Sequence, residues 1–134
     1  MLCEGHSEIE CMQMDYCSRV GDVCIEYLAE HLAESLTSLT VTRNFHQKCA
    51  KISDAAIETL KANCPYLTVL KIEYTRKLCS FAEPLSALSA LEQLHLPHCT
   101  IQGSIEPLLK LPQLQILDLS GDSWISNKLL KIVG

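Results

Sequence analysis

The stretch SDAAIETLKANCPYLTVLKI (residues 53–72) joins two periodicities end to end. Its first half sets Ala56, Ile57 and Leu60 at the spacing of one helix face. Its second half, Leu67-x-x-Leu70-x-Ile72, closes in the alternation of a strand, whose successive side chains leave opposite faces. Cys64-Pro65 sits at the junction. Proline restricts the residue before it to extended backbone and cannot donate to a helix ladder. A helix capped by Ser53 or Asp54 is therefore expected to stop here, with a short strand following at once.

The strand half recurs. Ile9-x-x-Met12-x-Met14-x-x-Cys17 is a weak copy. Leu36-x-x-Leu39-x-Val41-x-x-Asn44, Leu67-x-x-Leu70-x-Ile72-x-x-Thr75, Leu91-x-x-Leu94-x-Leu96-x-x-Cys99 and Leu114-x-x-Leu117-x-Leu119-x-x-Asp122 are stronger ones. The copies start near 9, 36, 67, 91 and 114, so the spacing shortens from 27 and 31 residues to 24 and 23. One such match would mean little in a Leu-rich chain, whereas five in register mark a repeat architecture. In each copy the paired apolar residues point inward and the alternating residues stand on an open face. No unit can bury its apolar side alone, and stacking on its neighbours does so.

This pattern resembles the leucine-rich-repeat family over almost the whole chain. The resemblance implies an α/β fold: a right-handed solenoid forming a horseshoe arc, with a short parallel sheet on the concave face and helices on the convex face. Residues 1–134 are expected to form a single leucine-rich-repeat domain of about five repeats. CAKISDAAIETLKANCPYLTVLKI and CSRVGDVCIEYLAEHLAESLTSLTV further resemble the cysteine-containing repeats of F-box proteins, with Glu34-Ser35 replacing Cys-Pro in the second. The last units are shorter and place Pro84 and Pro107 early in their helical parts, where first-turn prolines are tolerated. SWISNKLLKIVG is expected to begin a further convex element, capped by Ser126 or Asn127 and made polar by Lys128 and Lys131. The amino end shows no obvious capping domain, so the expectation is either a piece of a longer solenoid or self-association through an exposed end.

Composition narrows the function classes. Aromatic residues are 5% of a chain that is 48% hydrophobic, so the expected core is aliphatic. A net charge of −5 without Lys/Arg runs argues against nucleic-acid or anionic-membrane partners. MLCEGHSEIE has Glu4, Glu8 and Glu10 and no apolar h-region, so it does not read as a signal peptide. No Gly follows Met1 for N-myristoylation. Eight cysteines without a C-x-x-C pair then read as reduced thiols of an intracellular, cytoplasmic or nuclear, protein.

The repeat frame orders the open face into columns. The middle column is Gln13, Thr40, Lys71, His95 and Asp118. Asp15, Thr42, Glu73, Pro97 and Ser120 form the next. On the strand exits lie Tyr16, Arg43, Tyr74, His98 and Gly121. Tyr and Arg dominate binding hot spots, and Arg43 between two rings is placed for cation–π stacking. The expected partner-binding residues are Tyr16, Arg43, Lys71, Glu73, Tyr74, His95, His98 and Asp118.

Other chemistries find less support. His95, His98 and Cys99 are close in sequence, but a structural zinc site needs four convergent ligands, and Cys99 is expected to point inward. Cys11 is the exposed strand cysteine, without the neighbouring base that a nucleophile needs. Glu26, Glu30, Glu34, Asp54, Glu58, Glu83 and Glu106 are expected on a solvated convex face. No enzyme, cofactor or metal site is expected. The reading is a non-catalytic module that binds a protein partner on its concave face. The F-box resemblance implies an alternative, the substrate-recognition part of a ubiquitin ligase. A GTPase-regulating role, known among leucine-rich-repeat proteins, finds no loop suited to the contact.

Overall fold

The structure, a computed structural model, describes residues 8–15, 20–42, 52–73, 75 and 78–121. Strands and helical elements alternate along the chain. They run β1 (Cys11–Asp15), α1 (Asp22–His31), β2 (Ser38–Thr42), α2 (Asp54–Asn63), β3 (Val69–Ile72), α3 (Ala82–Leu85), β4 (Gln93–His95), a 3-10 helix (Glu106–Lys110) and β5 (Ile116–Asp118). The five strands form one sheet in chain order, every pair parallel. The helical elements follow the same order, α1 against α2, α2 against α3, and α3 against the 3-10 helix.

Register matches the middle column of the sequence frame residue for residue, whereas Pro97 of the next column is buried rather than open. Gln13 pairs with Thr40, Thr40 with Lys71, Lys71 with His95, and His95 with Asp118. The apolar partners Leu39, Leu70, Leu94 and Leu117 lie in the neighbouring row and are buried. A backbone ladder fixes this register upstream of the strands. The N–H groups of Thr37, Thr68, Glu92 and Gln115 donate to the carbonyls of Glu10, Thr37, Thr68 and Glu92 at 2.7–2.8 Å. A one-residue slip would turn the Leu row to solvent, so burial and ladder enforce the same pairing.

The Cys-Pro junction behaves as its chemistry requires. The Ser53 hydroxyl accepts the Ala55 N–H as N-cap of α2, and the helix ends at Asn63. Cys64 leaves the helical region at φ −118°, ψ 70°, and is fully buried. Desolvation pushes its thiol up to about 11, which makes it a small core hydrophobe rather than a nucleophile. Cys99 is also buried, its Sγ 3.3 Å from the Ile72 carbonyl of the preceding unit. Cys17, Cys49, Asn44 and Asp122 lie outside the described residues, as do Ser126, Asn127, Lys128 and Lys131.

Two expectations need correction. The helical parts after Leu78 are only a four-residue helix and a five-residue 3-10 helix. The shorter spacing between strands leaves little chain for a helix, and Pro107 withholds a donor at the start of its segment. Asp54 is not a solvated surface carboxylate. Its Oδ2 accepts the backbone N–H groups of Cys79 and Ser80 at 3.0 and 3.3 Å. Its Oδ1 is buried without a hydrogen-bond partner among the described residues. Asp22 acts similarly one unit earlier, taking the Ser53 N–H at 2.8 Å and its hydroxyl at 2.5 Å.

Met12 and Met14 on β1 point inward but are only half-buried, because among the described residues no strand lies beyond β1. No helix among the described residues is long and apolar enough to cross a membrane.

Candidate interaction surface

One sheet face carries the helical elements, and the other presents the alternating side chains. On β1 these are Cys11, Gln13 and Asp15, all exposed. On β2 they are Ser38, Thr40 and Thr42, on β3 Val69 and Lys71, and on β4 Gln93 and His95, all half-buried. Ile116 on β5 is 42% exposed. Parallel pairing spaces the strands by about 4.8 Å, so each column is a continuous row.

The rows are wired together. Gln13 donates to the Asp15 carboxylate at 2.9 Å, and the Thr42 hydroxyl donates to the same carboxylate. Lys71 Nζ lies 3.9 Å from Glu73 Oε1. The His95 ring stands between two partners, Nε2 3.2 Å from Gln93 Oε1 and Nδ1 3.6 Å from Asp118 Oδ2. The Asp118 carboxylate also takes the Ser120 N–H at 2.9 Å. Partial burial works to raise the Asp118 carboxyl. The Ser120 hydroxyl and N–H, with His95 beside it, outweigh that and hold it below the usual carboxylate range.

The structure thus brings Lys71, His95 and Asp118 into one in-register row, with Glu73 beside Lys71 on the chain. His98 is exposed at the β4 exit in left-handed backbone, φ 57°, and its N–H donates to the Ser120 carbonyl at 2.7 Å. Tyr16, Arg43 and Tyr74 lie outside the described residues. Sequence reasoning missed Gln93 and Ser120 as the groups that orient His95 and Asp118. Ser120 already stood in an open-face column, but a bond between residues two places apart in the chain leaves no trace in a column pattern. Among the described residues no three His, Cys, Asp or Glu side chains converge as metal ligands.

Comparison with known proteins fixes the fold class only. The chain is similar to the tropomodulin C-terminal domain of Caenorhabditis elegans, a leucine-rich-repeat-like fold. The TM-score is 0.63 at 15% identity, covering 98% of this chain and 89% of that one. No family model and no curated protein matches the chain. The F-box-type subtype therefore has no support beyond the residues quoted for it.

Proposed function

We propose that this chain is a non-catalytic, leucine-rich-repeat solenoid whose sheet lines the concave side of a horseshoe arc and binds a protein partner there. The observation that carries this reading is the Lys71–His95–Asp118 row. Neighbouring bonds hold two of its three side chains, so little rotamer freedom remains to be lost on docking. A partner presenting an acidic group to Lys71 and a basic group to Asp118 fits this polarity. Tyr16, Arg43, Tyr74 and His98 extend the surface along the strand exits in the same reading. An intracellular setting follows from the reduced-thiol reading of the cysteines.

The test is affinity capture with the wild-type chain, with Lys71→Glu/Asp118→Lys, and with Glu83→Lys in α3 as control. A partner held by wild type and the control but lost by the double variant supports the proposal. A partner that survives the double charge reversal refutes it. We also propose that the half-covered Met12 and Met14 edge permits self-association, which a monomeric mass by light scattering in reducing buffer would refute.

A further inference from the structure

A second surface lies upstream of the strands. There the chain returns from the helices and enters the sheet. A groove of about 920 Å³ opens between Glu8 and Glu10 ahead of β1, Glu34, Ser35 and Thr37 between α1 and β2, and Tyr66 between α2 and β3. Tyr66 immediately precedes the first Leu of its repeat. In the neighbouring units that position holds Ser35, Ala90 and Gln113. The fold therefore tolerates small or polar residues there, yet Tyr66 keeps a large ring 57% exposed while Leu67 beside it is fully buried. Packing does not account for the ring.

The electrostatics of the groove have one sign. Among the described residues that line it, three are glutamates and none is basic. It also sits just beyond the C-terminal ends of α1 at His31 and α2 at Asn63. Helix C-termini carry partial negative charge and favour cations. An exposed tyrosine face attracts the same charge through its quadrupole.

We propose that this groove docks a partner segment bearing Arg side chains, one guanidinium stacking on Tyr66 and another pairing with Glu10 and Glu34. Two strand spacings, about 10 Å, separate the Glu10 unit from the Tyr66 unit. That distance is about three residues of extended chain, so an Arg-x-x-Arg spacing in the partner fits. The surface is distinct from the open sheet face, and its occupancy does not depend on the proposal made for that face.

The probe is a fluorescein-labelled peptide Gly-Arg-Gly-Ser-Arg-Gly, compared with the same peptide carrying Gln for both Arg. Binding is read by anisotropy and by amide chemical-shift mapping. The expected result is weak, saturable, salt-sensitive binding of the Arg peptide only, with shifts at Glu8, Glu10, Ser35, Thr37 and Tyr66. Tyr66→Ala should weaken it about two- to fivefold, and Tyr66→Phe should restore it. Glu10→Gln/Glu34→Gln should weaken it further, and as exposed substitutions these variants should keep the wild-type melting temperature. Absence of saturable binding would overturn the proposal. So would shifts centred on Lys71 and His95, or equal displacement by spermine or Ca²⁺, which would reveal unspecific cation attraction.

Discussion

Asp54, at the start of α2, holds the backbone of Cys79 through a 3.0 Å hydrogen bond from its N–H, and the Ser80 N–H shares the same oxygen. The two residues belong to successive units, so one carboxylate ties the front of a helix to the next unit's turn. Asp22 makes the corresponding tie to Ser53. Hydrogen bonds to charged groups contribute about 1.5–3 kcal/mol. Asp54→Ala and Asp22→Ala should each lower the unfolding free energy by about that much in urea titrations. Losses under about 0.5 kcal/mol, the range of ordinary surface substitutions, would show that the ties are dispensable.

The same turn sets a second constraint. A Cβ at Gly103 would lie 1.9 Å from the Cys79 carbonyl oxygen. Backbone meets backbone here, next to the Leu78–Ile101 bridge, so no rotamer change relieves the clash. Gly103→Ala should cost about 1–3 kcal/mol, the range of overpacking, although Gly→Ala at an unstrained site stabilises by about 0.4–1 kcal/mol. A melting temperature at or above wild type would contradict this close approach.

The sheet was legible because both of its determinants are periodic. Leu39, Leu70, Leu94 and Leu117 repeat at a fixed place in the LxxLxL frame, and their pairing in register follows from burying them together. Open-face residues such as Lys71 and His95 fall into columns for the same reason. The ties made by Asp22 and Asp54 escaped because an acidic residue in a first helical turn is ordinary in sequence. Only the stacking distance between units decides whether its oxygen meets water or the next backbone. Tyr66 escaped similarly: its exposure is a property of the groove, and one ring in an otherwise regular repeat has no period.

Thiol reactivity separates the cysteines by environment. Cys11 and Cys79 are exposed, whereas Cys64 and Cys99 are buried. Burial lifts the Cys64 thiol to about 11, which suppresses the reactive thiolate at neutral pH. Iodoacetamide on the native protein, followed by peptide mass mapping, should modify Cys11 and Cys79 and spare Cys64 and Cys99 until denaturant is added. Rapid native alkylation of Cys64 would mean that the end of α2 opens on the labelling timescale.

Acid stability should report the bonds around Asp118. Its carboxyl titrates below the usual range because the Ser120 hydroxyl and N–H and the His95 ring favour its charged form more than partial burial opposes it. A group with a lowered folded-state value adds stability above the unfolded value, about 3.9 for Asp, and loses it as pH falls through the folded one. Asp118→Asn should therefore be less stable than wild type near neutrality, and the gap should close below about pH 4. The carboxylate is partly solvated, so the gap is expected to be small. Urea midpoints of the two proteins across the acidic range measure it. A gap that widens toward acid would show that burial dominates and that the Asp118 carboxyl titrates above the usual range.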